Sequence, residues 1–281
     1  MASESTLQRQ VSRFTQSAAW TPRDALFVAV GVYALWVIAT FVFEGRIQTL
    51  LRPDATFDRL VYAVVANLLV GTVLAMWVVR RIVAADVVEQ VRAGFQSALR
   101  TVGGVVVAAA VGLTLYVVQN PPSTDPMVVG NVFAQVLPTS IAEVVVCWVL
   151  VGATVEAVLR GRGSNRYLAI GVAIVTASVL FGVYHVAHSP PFNTLSQVVL
   201  LTVVGVVTSL VFFLTRDVYA TVVFHTMLAL TGVTQSLADA GRLGTFTDPV
   251  VPLFVVALVA VAVLVAADVG FVRRARGELH A

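Results

Sequence analysis

Residues 167–215 read YLAIGVAIVTASVLFGVYHVAHSPPFNTLSQVVLLTVVGVVTSLVFFLT, 49 consecutive residues without an Asp, Glu, Lys or Arg. A helix needs about 20 apolar residues to cross the hydrocarbon core of a bilayer, so the run is long enough for two crossings. The break at His188-Ser-Pro-Pro-Phe-Asn193 divides it into a helix over about Tyr167–Val186 and another over about Leu195–Thr215. Neither stretch alternates polar and apolar residues as a half-exposed strand would, and backbone groups in lipid must be satisfied within the chain, which selects helices.

The same pattern extends outward in both directions. Uncharged runs mark further spans at Ala25–Phe43, Leu60–Val79, Val102–Gln119, Val218–Leu237 and Val250–Ala267. Ala25–Phe43 exceeds the ~7–15 apolar residues of a signal-peptide core and lacks a convincing cleavage site, so it reads as a retained span. Met127–Arg160 is longer than one crossing requires and contains Pro138, which predicts a kinked or broken fourth element. Between Ile82 and Arg100 apolar residues recur every four or five positions, predicting either an amphipathic helix at the inner surface or a solvated connector packed on the bundle. The expected fold is all-α, a polytopic membrane bundle of about eight transmembrane helices. It comprises a cytoplasmic segment 1–24, a single transmembrane domain 25–272 whose motif-bearing core is 127–237, and a basic cytoplasmic tail 273–281.

Composition agrees: 58% of the 281 residues are hydrophobic and 12% charged, far from the ~25% charged of a soluble domain. All basic residues are arginines, and with eight spans and an inner N-terminus 14 of them fall inside and 4 outside. That asymmetry is the positive-inside bias, so the net charge of +3 calls for no nucleic-acid partner. The expected location is the cell membrane, with multiple passes and both termini cytoplasmic. Cys147, the single cysteine, lies in an apolar run and reads as a small buried hydrophobe.

Against this background the ionisable residues inside the spans stand out, because each costs ~2.5–3.5 kcal/mol on insertion scales and is retained for a reason. Glu156 and Arg160 are spaced i and i+4, sharing a helical face on which they can pair. Glu143 is a second intramembrane carboxylate, 13 residues earlier, roughly 20 Å along a straight helix and therefore no partner for Glu156. His185, His188 and His225 lie in or beside uncharged runs, while His280 sits in the polar tail. A carboxylate and two imidazoles converging in a dry cavity can polarise water and stabilise the oxyanion of a cleaved amide.

Taken in order, Glu156-Ala-Val-Leu-Arg160-Gly161, Phe181-Gly-Val-Tyr-His185 and His225 in the seventh of eight spans resemble the CAAX protease and bacteriocin-processing (CPBP) family of intramembrane proteases. That family carries Glu-Glu-x-x-x-Arg, Phe-x-x-x-His and His-x-x-x-Asn or Asp in this order, and the resemblance covers about residues 127–237. Glu156, Arg160, Phe181, His185 and His225 match. Val155 stands where the family has its first Glu, the water-activating base, and Ala229 where it has the Asn or Asp that helps bind the oxyanion.

The resemblance implies a CAAX-type intramembrane endopeptidase that cleaves a membrane-proximal or prenylated peptide by water attack, either active or degenerate. In the active case Glu156 is the base, Arg160 fixes it, His185 polarises water and His225 stabilises the oxyanion. The alternative is a non-catalytic membrane protein that binds a hydrophobic or lipidated peptide. No cofactor is expected, with zinc on Glu156, His185 and His225 as the alternative. The expected partners are the lipid bilayer and the peptide. One geometric demand accompanies this reading: in a plain hairpin His185 lies about 28 Å along the fifth span while Glu156 sits near the inner end of the fourth. The two meet only if the Glu156 helix runs past Gly161, or if a span is re-entrant or steeply tilted.

Overall fold

The computed structural model describes residues 20–52 and 54–274, so most of segment 1–24 and the tail beyond Arg274, His280 included, lie outside the described residues. Among the described residues, eight helices are long and apolar enough to cross a membrane: α1 Pro22–Gly45, α2 Thr56–Ala84, α3 Ala98–Val118, α4 Pro126–Gly161, α5 Arg166–Ala187, α6 Leu195–Thr215, α7 Val218–Asp239 and α8 Val251–Arg273. Among the described residues there is no strand.

Local signals start these helices. Thr21 and Asp24 form a reciprocal capping box at α1. Asp125 accepts from the Met127 and Val128 amides ahead of α4, with Pro126 in the first turn, where its missing N–H is not needed. Asn165 caps α5, Thr194 α6 and Asp217 α7. The α6–α7 connection is only Arg216-Asp217, with Arg216 in the left-handed region at φ 53°.

The bundle is organised around α4, which is buried almost along its whole length. Helices α1, α2, α5, α7 and α8 surround it, α3 packs on α7, and α6 packs chiefly on α5. Consecutive spans are antiparallel, so the α2–α3, α4–α5 and α6–α7 connections share one end, here called the arginine-rich end, and the other connections share the far end. Valine and leucine side chains on the outer faces of α3, α5, α6 and α8 are exposed, as lipid-facing surfaces are.

Two expectations that left alternatives open are narrowed by the fold. The fourth element is not broken at Pro138: it is helical from Pro126 to Gly161, with a stretch of wider, π-type turns over Val144–Gly152. The lost proline N–H is tolerated because packed neighbours surround the segment. Nor is 82–100 an amphipathic helix. Helix α2 ends at Ala84, α3 starts at Ala98, and the chain between them is a series of turns. Of the periodic apolar residues Ile82, Val83, Val88 and Phe95 are buried whereas Val91 and Leu99 are exposed, and Asp86 and Gly94 adopt positive φ. Gly94 accepts from the Val218 amide at 2.9 Å. A Cβ there would lie 2.8 Å from Val218 Cγ2 and 2.9 Å from the Phe212 ring, so only glycine allows the loop to dock on the α6–α7 turn.

Candidate functional site

Near the middle of α4 the side chain of Glu143 is buried and faces two histidines. Its Oε2 lies 2.8 Å from His225 Nε2 of α7 and its Oε1 3.7 Å from His185 Nε2 at the end of α5. His185 is fixed at its other nitrogen, where Nδ1–H donates to the Phe181 carbonyl at 2.8 Å. A carbonyl only accepts, so in the neutral ring Nε2 is the lone-pair nitrogen and turns towards Glu143. His225 donates Nε2–H to Glu143 and contacts Thr208 Oγ1 of α6 through Nδ1 at 3.0 Å. Phe181 stands edge-on to both imidazoles, with ring centroids 4.7 Å and 5.0 Å away, and Trp148 lies 5.3 Å from His225. The Trp148 indole is in turn held by Ser209 at 2.6 Å.

A second acid and imidazole adjoin this set. Glu44, in the last turn of α1 and fully buried, accepts from the Ser189 amide at 2.8 Å and from the Ser189 hydroxyl, and lies 3.2 Å from His188 Nδ1. His188 stacks on His185 with ring centroids 5.1 Å apart, and its Nε2 is buried without a partner. Tyr184 stacks on Trp36 at 3.8 Å and shares a hydroxyl contact of 3.0 Å with Tyr62.

The structure therefore brings His185, His225 and Phe181 together, as the sequence predicts, and supplies a different carboxylate. Glu156 lies apart from them at the arginine-rich end, where Oε2 is 2.7 Å from Arg216 Nη2 and Oε1 3.6 Å from Arg160 Nη1. Thirteen residues of continuous helix separate it from Glu143, about 20 Å. Burial pulls the Arg216 guanidinium below the usual arginine range, while Glu156 works in the opposite direction. The expected Glu156–Arg160 pair is present, but Arg216 is the closer partner. Ala229 follows His225 by one turn and lines the same cavity, whereas Val155 packs against the core beside Glu156.

The Glu156, His185, His225 zinc set is not assembled. Glu143, His185 and His188 do converge, each offering one ligand atom, all within 4.8 Å of one another. Sequence reasoning named Glu143 and His188 without placing them, and it missed Glu44 and Arg216. Glu44 reads as the first residue of a mixed-charge connection, so nothing in its neighbourhood singles it out.

The site opens into a cavity of about 440 Å³. Its wall runs from Glu143, His185 and His225 past Ser140 and Gln135 to Arg59 at the far end.

A family model described as type II CAAX prenyl endopeptidase Rce1-like matches residues 137–231, about a third of the chain and the stretch that carries Glu143, His185 and His225. The match is consistent with the CPBP family that the motifs resemble. No curated protein and no solved structure matches the chain.

Proposed function

We propose, from this family match, that the protein is an intramembrane endopeptidase of the CAAX-processing type in which Glu143, and not Glu156, is the general base. The observation that supports this reading is Glu143 held between two oriented histidines in a cavity within the helical bundle. Its Oε2 is occupied by His225, which leaves Oε1 facing His185 Nε2 across a 3.7 Å gap where one water can donate to both.

Glu143 takes a proton from that water as the oxygen bonds to the carbonyl carbon. The carbon–nitrogen bond then breaks, and the proton on Glu143 passes to the departing amine. Ala229 offers no oxyanion donor, but the Ser140 hydroxyl, one turn before Glu143, is buried without a partner on the cavity wall. It can donate to the oxyanion. Reading the first motif with Glu143 as its first glutamate, the base, places Val144 and Trp148 at its other two fixed positions, so neither register contains both glutamates. A membrane-proximal or prenylated peptide is the substrate, and the termini lie on the cytoplasmic face of the cell membrane.

Cleavage of a farnesylated peptide by the detergent-solubilised protein tests the assignment. Glu143→Gln should lower kcat by about 10²–10⁴, the usual worth of a general base, while Glu156→Gln retains turnover in whatever protein remains folded. The opposite pattern returns the base to Glu156. Absence of product from every variant, with peptide still bound, would establish the non-catalytic reading.

A second reading is favoured by the Glu143, His185 and His188 cluster. Both histidines have Nδ1 occupied, by the Phe181 carbonyl and by Glu44, which is how metal-binding histidines are oriented. These three residues would hold a zinc ion, which when bound supplies Lewis-acid activation of water. Metal content of the purified protein and activity after chelation distinguish the two readings.

A further inference from the structure

In the metal-free mechanism Glu44 and His188 have no task, yet both are buried beside the reacting centre. The chain brings them together through Gly45. A Cβ at that position would lie 2.1 Å from the Ala187 carbonyl oxygen, so the bare glycine lets the end of α1 press against the backbone of residues 187–188. Glu44 then meets the donors of Ser189 and His188. It accepts from the Ser189 amide at 2.8 Å and from the Ser189 hydroxyl, and its Oε2 lies 3.2 Å from His188 Nδ1.

That contact decides which nitrogen of His188 carries hydrogen. A carboxylate only accepts, so Nδ1 donates and Nε2 of the neutral ring holds a lone pair. Packing holds the ring in place: it stacks on His185 with centroids 5.1 Å apart, and Tyr184 stands edge-on to it at 4.8 Å. Nε2 is buried without a partner, and His188 lines the cavity that also contains Glu143, His185 and His225. An unpaired buried acceptor is costly, and the cost is removed when a donor arrives.

Matching donors to acceptors at the centre identifies that donor. The attacking water gives its two hydrogens to Glu143 Oε1 and His185 Nε2, and the other carboxylate oxygen takes Nε2–H of His225. The Ser140 hydroxyl is available to the oxyanion. The amide N–H of the peptide bond is then without a counterpart, and His188 Nε2 is an acceptor that these contacts leave free.

We propose that His188 is a further catalytic residue, whose Nε2 accepts the N–H of the scissile amide, and that Glu44 is the positioning residue that sets its tautomer. The inference rests on the endopeptidase reading and adds to it a partner for the departing nitrogen. In the tetrahedral intermediate Glu143 delivers its proton to the nitrogen lone pair. The electron pair of the carbon–nitrogen bond goes to nitrogen as that bond breaks, and the hydrogen already on nitrogen stays there throughout. As the nitrogen gains positive charge its N–H becomes a stronger donor, so the contact with Nε2 tightens towards the transition state and eases expulsion of the amine.

An ester has no such hydrogen. The test uses the full chain in detergent with a farnesylated peptide and the same peptide carrying an ester at the bond that wild type cleaves. Single-turnover rates are compared, so that product release does not enter. His188→Phe keeps a flat ring and removes the acceptor. It should slow the amide about 10–100-fold more than the ester, the range of one charge-assisted hydrogen bond. His188→Gln, whose carbonyl oxygen accepts, should recover part of the difference. Glu44→Gln should also slow the amide selectively, since its NH2 group can donate to Nδ1 and turn Nε2 into a donor. Equal slowing of amide and ester by His188→Phe, or by Glu44→Gln where His188→Phe does not fold, would overturn the proposal, because a ring that only packs on His185 serves both substrates alike. Zinc bound to wild type and lost from His188→Phe, with both substrates slowed, would overturn it too and assign Nε2 to the metal. If wild type cleaves neither amide nor ester, the endopeptidase reading itself fails and takes the proposal with it.

Discussion

Glu156 and Glu143 are both carboxylates inside one helix, and their partners set them apart. Glu156 meets Arg216 and Arg160, an arrangement that neutralises charge, while the partners of Glu143 among the described residues are two imidazoles, which is why the proposed mechanism assigns the base to Glu143. Breaking a buried ion pair from one side costs about 3–5 kcal/mol because the remaining charge is stranded. Arg216→Ala should therefore lower the thermal midpoint in detergent far more than Arg160→Ala, whose side chain is 31% exposed, and Arg162→Ala should have little effect. Equal shifts for Arg216→Ala and Arg162→Ala would deny the pair its structural role. The histidines were legible in the sequence because an ionisable group in an uncharged run is conspicuous. The choice between the two glutamates was not, since it depends on which turns of α5 and α7 face which turn of α4. Arg216 was hidden for the same reason, being an ordinary loop arginine until the two-residue turn brings it to Glu156.

At the level of elements, spans and their order could be read from hydropathy alone, and all eight were. What hydropathy could not convey was how closely they approach, or that the periodic stretch after α2 forms turns. Helices α5 and α6 are in contact at Gly182, where an added Cβ would fall 1.9 Å from Thr202 Oγ1 and 2.8 Å from the Val198 carbonyl oxygen. The threonine can rotate away, but the backbone cannot. Gly182→Ala should cost about 1–3 kcal/mol of stability, the usual penalty of overpacking, and should lower peptide turnover as well, because His185 follows within one turn. Gly171→Ala on the same helix meets nothing within 4 Å and serves as the neutral control. A Gly182→Ala protein as stable and active as wild type would show that α5 can slide along α6 without cost.

For the whole molecule, the arginine count of 14 against 4 predicts orientation. Reporter fusions after Pro122 and Pro190 should read as external and a fusion after Gly163 as internal. A cytoplasmic signal at Pro190 would invert the α5–α6 hairpin. The Glu156–Arg216 pair also bears on how the chain is assembled. Its two members are sixty residues apart, with all of α5 and α6 between them. When α4 leaves the ribosome Arg160 is the counter-charge Glu156 has, and the closer partner Arg216 is added only when the α6–α7 turn is made. The pair acts as a late latch: central though it is in the finished bundle, α4 gains its closest ion-pair partner only after the sixth helix has been made.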